Sequence, residues 1–214
     1  DNFKVEAGKV TVSGKGLDNS HVDYTEILAR EAEVNAGIWS KKEITVITGK
    51  NTIARSDADK TLQVIRTEQA SVGDIKPQVA IDVGELGGMY SGKIHLVGTE
   101  AGIGVRNAGH IGASAETLHI DSQGRIVNTG TLNAAKSTQL TAMQGIENKG
   151  KIENRQGNIT LNSALDIQQD GAIVARQGDI HKIATDQITQ NGESVAKGNI
   201  TYQAARVKTS TNSL

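Results

Sequence analysis

A repeat between residues 105 and 202 constrains the fold more than any other feature of this sequence. Each unit carries Asn or Gln, with Gly two positions later and, in most units, an apolar residue two positions after that. The amides are Asn107, Asn128, Asn148, Gln169 and Gln190, and the glycines are Gly109, Gly130, Gly150, Gly171 and Gly192. Successive glycines lie 21, 20, 21 and 21 residues apart. A regular period near this length is typical of a solenoid, in which each repeat packs on its neighbours.

Each repeat contains short apolar segments with the period of two that indicates a strand. One column is Val105, Ile126, Ile146, Ile167 and Ile188, and a second is Ile111, Leu132, Ile152 and Ile173. The third segment is Leu118-x-Ile120, Leu140-x-Ala142, Ile159-x-Leu161, Ile180-x-Lys182 and Ile200-x-Tyr202. Three short strands per coil predict an all-β parallel β-helix. A leucine-rich repeat would need a helical segment and its own Leu/Asn pattern, and the sequence has neither.

The corner residues agree with this prediction. Gly followed by Asn or Asp precedes the third strand at Gly157-Asn158, Gly178-Asp179 and Gly198-Asn199. We expect these corners to use positive φ, which such residues accept. The five amides are expected to stack about 4.8 Å apart and to hydrogen-bond along the axis as a structural ladder. Plain turn residues that tolerate the bend are the alternative.

Composition narrows the class of protein. Aromatic residues make up 2% of the chain, so its interior must be built from thin layers of aliphatic side chains, as in a β-helix. A net charge of −1 with interspersed signs does not indicate binding to nucleic acid or to an anionic membrane. The absence of cysteine excludes a disulfide framework. No apolar run approaches the roughly 20 residues of a membrane helix.

The first half of the chain carries the same pattern with one interruption. Residues 22–39 fit an amphipathic helix locally, but their apolar residues alternate with other residues in short segments, which predicts strands at the spacing of a coil. Residues 49–78 are the most charged and least periodic part. We interpret them as an excursion outside the coil that ends at Pro77, with Leu62 and Val64 on one arm of a hairpin.

Longer motifs in this half carry a family resemblance. They are Val22–Arg30, Val34–Trp39, Val46–Gly49, Ala80–Val83, Leu86–Tyr90, Lys93–Glu100 and Gly104–Gly109. Together they resemble the later part of the two-partner-secretion domain of filamentous-haemagglutinin-like and contact-dependent growth-inhibition exoproteins. Residues 105–202 resemble the haemagglutinin repeats that follow that domain.

The resemblance implies a right-handed parallel β-helix that a dedicated outer-membrane β-barrel transporter exports from a Gram-negative bacterium. It divides the chain into the carboxy-terminal part of the secretion domain, 1–104, and haemagglutinin-type repeats, 105–214. The Asn-Pro-Asn motifs of the early secretion domain are absent, and Pro77 is the single proline. The chain is therefore expected to begin within that domain.

The function implied is a non-catalytic stalk segment of a secreted, surface-displayed adhesin or growth-inhibition exoprotein. The alternative from the residues is a β-helical polysaccharide lyase or hydrolase, which needs clustered carboxylates on one outer face. Its candidates are Asp166, Asp170, Asp179 and Asp186. They fall at different phases of the repeat, so the non-catalytic function is preferred.

No metal or cofactor site is expected. His95, His119 and His181 each lie between two inward residues of a strand, so we expect them to point outward as solvated side chains. The predicted outer column is His119, Thr141, Thr160, His181 and Thr201. Histidines three coils apart cannot converge on one ion.

The repeat is still running at Ile200, and Val207–Leu214 shows no amphipathic helix that would close a coil. The natural chain is therefore expected to continue, with any host-cell or target-bacterium receptor bound by other parts of it. The chain itself is expected to be monomeric, with weak end-to-end association.

Overall fold

The computed structural model describes residues 2–210, all of whose regular elements are strands. The first half contains β1 (Asn2–Val5), β2 (Lys9–Val12), β3 (Leu17–Asn19), β4 (Tyr24–Ala29), β5 (Glu31–Val34), β6 (Gly37–Ser40), β7 (Glu43–Thr48), β8 (Asn51–Arg55), β9 (Leu62–Thr67), β10 (Val79–Val83), β11 (Gly88–Ser91), β12 (Lys93–Gly98), β13 (Ile103–Asn107) and β14 (His110–Ala113). No helix within these residues is long and apolar enough to cross a membrane.

The second half continues the series of strands without interruption. It contains β15 (Leu118–Ser122), β16 (Arg125–Asn128), β17 (Thr131–Ala134), β18 (Thr138–Ala142), β19 (Ile146–Asn148), β20 (Lys151–Asn154), β21 (Ile159–Ser163), β22 (Asp166–Gln169), β23 (Ala172–Ala175), β24 (Ile180–Ala184), β25 (Gln187–Gln190), β26 (Ser194–Ala196), β27 (Ile200–Gln203) and β28 (Arg206–Thr209). The end of the Val207–Leu214 segment, beyond Ser210, lies outside the described residues.

Each coil contributes one strand to each of three parallel sheets. The first sheet runs β2-β5-β10-β13-β16-β19-β22-β25-β28. The second runs β3-β6-β11-β14-β17-β20-β23-β26, and the third runs β4-β7-β12-β15-β18-β21-β24-β27. The predicted parallel β-helix is confirmed, and the ambiguous residues 22–39 form β4, β5 and most of β6 with short bends between them, as predicted.

The core is a set of aliphatic columns along the axis. One column in the second sheet, fully buried throughout, is Ile38, Met89, Ile111, Leu132, Ile152 and Ile173. Each side chain packs on the equivalent residue of the coils before and after it. Burying one such side chain contributes about 1.5–3 kcal/mol, which explains how a chain with few aromatic residues forms a continuous core.

In one coil the third strand lies two residues from its predicted register. The prediction placed Leu140 beside Leu118, whereas the structure pairs Leu140 with Ile120 and Thr138 with Leu118. Thr138 is 1% exposed, and its hydroxyl donates a hydrogen bond to Oδ1 of Asn154. A buried hydroxyl costs little when it is hydrogen-bonded, so this position accepts a polar residue that the apolar pattern could not reveal.

Residues 49–78 leave the coil as predicted and form an antiparallel hairpin. Strand β8 pairs with β9 on one side and with β1 on the other. Ile53 is fully buried and Asn51 is 2% exposed. Asn51 donates to the carbonyl of Thr48 at 3.1 Å and accepts from the hydroxyl of Thr99 at 2.7 Å. The hairpin therefore covers part of the coil and is more than a surface loop.

The corner glycines serve a different purpose from the one predicted. Gly157, Gly178 and Gly198 do not have positive φ, so that prediction is wrong. A Cβ at Gly157 would instead meet the carbonyl oxygen of Lys136 in the preceding coil. Close approach of successive coils, and not the local turn, excludes a side chain here.

Candidate functional site

The amide column of the repeats faces the interior of the coil. Asn107, Asn128 and Asn148 are each 1% exposed. Nδ2 of Asn107 donates to Oδ1 of Asn128 at 2.9 Å, and Nδ2 of Asn128 donates to Oδ1 of Asn148 at 2.8 Å. Nδ2 of each of the three asparagines also donates to a main-chain carbonyl of the next coil. These bonds join three successive coils through buried side chains.

The last two amides share the column but have different partners. Nε2 of Gln169 donates to the carbonyls of Gly171 and Glu193 at 3.1 and 3.0 Å. Oε1 of Gln190 accepts from Nζ of Lys182 and from the hydroxyl of Tyr202, both at 2.5 Å. The direct amide series thus runs through the three asparagines, and a structural ladder through all five residues stays a prediction.

The five turn glycines lie one above another beside this column. A Cβ on any one of them would meet the carbonyl oxygen of the glycine in the preceding coil. The stack begins with Gly87 and continues through Gly109, Gly130, Gly150, Gly171 and Gly192. This steric contact supports the structural role proposed for these glycines and gives it a physical cause.

A buried lysine lies in the coils near the end of the described residues. Lys182 is 0% exposed, and Nζ donates to Oε1 of Gln190 at 2.5 Å and to the hydroxyl of Ser194 at 2.6 Å. Nζ also lies 4.8 Å from the ring centroid of Tyr202. Burial lowers the pKa of Lys182 to about 7, because the apolar interior disfavours the charged form. Within residues 2–210, no carboxylate forms an ion pair with it.

An ion-pair network fixes the excursion to the coil. Nε of Arg30 donates to Oε1 of Glu100 at 3.0 Å, and Nη1 donates to Oδ1 of Asp74 at 2.7 Å. Nζ of Lys50 lies 3.5 Å from the other carboxylate oxygen of Asp74. The Arg30 guanidinium lowers the pKa of the Asp74 carboxyl. Sequence analysis missed this network, since its members lie far apart in the chain and at no repeated phase.

A stack of rings on the second sheet was also missed. Trp39 and Tyr90 lie with ring centroids 5.6 Å apart, and Tyr90 and His110 lie at the same separation. Gly37 and Gly88 precede the two aromatic residues at matching positions, and a Cβ there would meet the ring. The paired Gly-x-aromatic pattern is the signal that could have indicated this stack.

The histidines point outward, but two of them are not simply solvated. The rings of His95 and His119 stack with centroids 4.6 Å apart and planes 6° apart. Both are half-buried, and desolvation lowers the pKa of His95 to about 4. The outer column is His95, His119, Gln139, Thr160, His181 and Thr201, so the predicted place of Thr141 in it is wrong.

Each of the four candidate acids bonds a different partner. Asp166 bonds Arg125 at 3.0 Å, and Asp186 bonds Arg206 at 3.0 Å. Asp170 accepts from Asn191 in the next coil. Asp179 accepts from a main-chain N–H of the next coil. Among the described residues, no group of three or more His, Cys, Asp or Glu side chains is placed to hold a metal ion.

Comparison with known proteins identifies the class of chain. The family model described as TPS secretion domain matches residues 1–128. The match therefore crosses residue 105, where the sequence pattern predicts that the repeats begin, and it includes the first coil of the repeats. No solved structure matches this chain.

Curated relatives are much longer than this chain. "Toxin CdiA" of Yersinia pestis is 45% identical over 148 residues, which are 69% of this chain and 4% of that protein. "tRNA nuclease CdiA" of Escherichia coli (strain NC101) is 37% identical over 166 residues, 77% of this chain and 5% of that protein. "tRNA nuclease CdiA-2" of Burkholderia pseudomallei is 38% identical over 133 residues, 62% of this chain and 4% of that protein.

Proposed function

This chain belongs to the TPS secretion domain family, and on that premise we propose that it is a non-catalytic segment of a large exoprotein of a Gram-negative bacterium. Its partner in export is an outer-membrane β-barrel transporter of the two-partner-secretion type. After export the segment lies at the cell surface as part of a stalk. The observation that carries this proposal is the family match over residues 1–128, which falls on a continuous β-helix.

The parent protein is of the contact-dependent growth-inhibition type. The relatives support this, because their names describe toxins and nucleases and this chain spans only 4–5% of their length. Their nuclease activity belongs to other parts of the parent chain, as does any receptor binding that inhibition requires. Each of the four aspartates is bonded to a separate arginine, amide or main-chain N–H, which agrees with a segment that has no catalytic activity of its own.

The fold suits this role for a physical reason. Each coil packs on the preceding one, so a chain that emerges from a transporter in order can add coils one by one. The first coils are held by contacts that do not recur, including Arg30 with Glu100 and the covering hairpin. A segment that must fold first gains from such contacts, because it cannot rely on a coil already in place.

A secretion assay tests the proposal. The chain is placed behind a periplasmic signal sequence and expressed with, or without, the transporter encoded beside the parent gene. We expect the chain in the medium only when the transporter is present. Release in its absence, or retention in the periplasm in its presence, would contradict the proposal. A β-helix of similar length from outside the family is the matched control and should stay in the periplasm.

A further inference from the structure

The carboxamide of Gln190 is held differently from the other amides of its column. Its oxygen accepts from Nζ of Lys182 and from the hydroxyl of Tyr202, both at 2.5 Å, and from the hydroxyl of Ser194 at 3.4 Å. Among residues 2–210, no group accepts a hydrogen bond from its nitrogen. In Gln169, one coil earlier, the nitrogen donates to two carbonyls and no lysine contacts the oxygen. The donors therefore gather on the oxygen of Gln190 and leave its nitrogen free.

Lys182 occupies a core position where an aliphatic residue is expected. Strand pairing places it between Leu161 of the preceding coil and Tyr202 of the next coil. Its side chain is 0% exposed, and burying an ammonium without a carboxylate is costly. This burial lowers the pKa of Lys182 to about 7, so near neutrality the amine is neutral in much of the folded protein. A neutral, desolvated lysine amine is a nucleophile.

The neighbours of the amine polarise the group next to it. The hydroxyls of Tyr202 and Ser194 are placed to stabilise the negative charge that the Gln190 oxygen gains when a nucleophile adds to its carbonyl carbon. Ser194 also accepts from Nζ of Lys182 at 2.6 Å and so holds the amine beside the carboxamide. Two reacting groups held in this way have a high effective concentration.

We propose that Lys182 and Gln190 form an intramolecular isopeptide bond. Nζ adds to Cδ of Gln190, the Cδ–Nε2 bond breaks, and one proton of the amine leaves with Nε2 as ammonia. The carbon keeps its oxidation state, so the reaction needs no oxidant or reductant. The product is a neutral amide in place of a buried amine. It joins β24 of the third sheet to β25 of the first sheet, across one corner of a single coil.

The pH dependence of the rate follows from the same contacts. An amide is a weak electrophile, so the bond forms slowly, and a freshly refolded chain still carries the free amine. Only the neutral amine attacks, so the rate should rise as pH increases through 7 and level off at higher pH. A cluster held by hydrogen bonds alone is the alternative, and it predicts no change in mass at any pH.

The test is mass spectrometry of the refolded 214-residue chain during incubation at pH 9. We expect the folded chain to lose one ammonia and the chain in urea to lose none from this site. Trypsin should then release residues 177–197 as one peptide, because an acylated lysine resists cleavage. A succinimide at Asn191 would lose the same mass but would leave separate peptides 177–182 and 183–197. No loss from the folded chain, or a loss with normal cleavage after Lys182, would overturn the proposal.

Variants assign the two roles. Lys182→Met removes the nucleophile and should abolish the loss of ammonia. Tyr202→Phe keeps the ring and removes the hydroxyl, so the reaction should be at least tenfold slower while the circular dichroism stays that of the parent. Lys151→Met and Tyr24→Phe, at exposed positions, are the matched controls and should react at the parental rate. Formation of the linked peptide at the parental rate in Tyr202→Phe would refute the role of its hydroxyl, and unchanged loss of ammonia in Lys182→Met would refute the bond itself.

Discussion

The same interior column is built from valine in the first coils and from amides in the repeats. Val12 pairs with Val34 and Val34 with Val83. Val83 then pairs with Asn107, where the amides begin. A valine in such a column can pack against any apolar neighbour of similar shape. Amides are satisfied only when their donors and acceptors are aligned, so the second arrangement fixes the register of each coil on the next.

The two regions also differ in how far their contacts reach. Arg30 bonds residues 44 and 70 positions away, and neither contact recurs. In the repeats, Asn107 and Asn128 bond partners 21 and 20 positions away. The first region therefore depends on single long-range contacts, and the second depends on one contact made repeatedly between neighbours. Variants that affect one kind of contact should leave the other intact.

The largest effect is expected from a charge placed inside the repeats. Ile146 is 1% exposed in a column with Ile126 and Ile167. Ile146→Asp should lower the free energy of unfolding by at least about 4 kcal/mol, because the carboxylate loses water and gains no partner. Urea unfolding measures the loss. The outward Thr160→Asp should change stability by less than about 0.5 kcal/mol. Equal losses in both variants would contradict the inward assignment.

A smaller and local effect is expected in the first region. Arg30→Gln leaves Glu100 and Asp74 without their guanidinium and should cost about 2–3 kcal/mol. Hydrogen exchange should show faster exchange in β8 and β9 and unchanged exchange in β19–β24. Arg106→Gln, which removes an exposed pair with Asp82, is the control and should cost less than about 1 kcal/mol. Uniform acceleration along the chain would mean that the network supports the repeats as well.

Glycine substitutions should have different effects at the stacked corners and at open strand positions. Gly150→Ala places a Cβ against the carbonyl of Gly130 and should destabilise the chain by about 1–3 kcal/mol. Gly112→Ala has room and should be neutral, or stabilising by about 0.4–1 kcal/mol, because it restricts the unfolded chain. Thermal unfolding compares the two. A neutral Gly150→Ala would show that the coils can separate at the corner.

The repeats could be predicted from sequence because each column samples the same environment several times. The period, the inward residues and the amide column all follow from that redundancy. Contacts that occur only once in the chain could not be predicted in this way. Thr138 is buried because its partner, Asn154, lies in the next coil. The corner glycines are required by a neighbouring backbone, which a local pattern does not contain. Trp39 and Tyr90 are separated in sequence by the excursion, which hides their equivalent phase.

The buried lysine in the repeats should make stability depend on pH above neutrality. The pKa of Lys182 is about 7 in the folded chain and 10.5 ordinarily. Between these values the unfolded state binds more protons, so the free energy of unfolding should rise with pH. The stability of Lys182→Met relative to the parent should therefore be greatest at pH 7 and should fall as pH rises to 9.5, because only the parent gains stability over this range. Lys15→Met, at an exposed position, should show no such trend.

The histidine pair of the third sheet should give an effect in a different pH range. Desolvation, with the charges of His119 and Lys93, lowers the pKa of His95 from 6.5 to about 4. As pH falls from 6.5 to 4, His95 is protonated in the unfolded chain but stays largely neutral in the folded chain. The free energy of unfolding should therefore decrease over this range. His95→Gln should reduce this decrease, whereas the exposed His21→Gln should not. Chemical denaturation at pH 7, 5.5 and 4 compares each variant with the parent, which cancels the contribution of the carboxylates. If His95→Gln follows the parent at all three values, the ring stack does not exclude the proton. The acid response of the first coils would then arise from ion pairs such as that of Arg30 with Asp74.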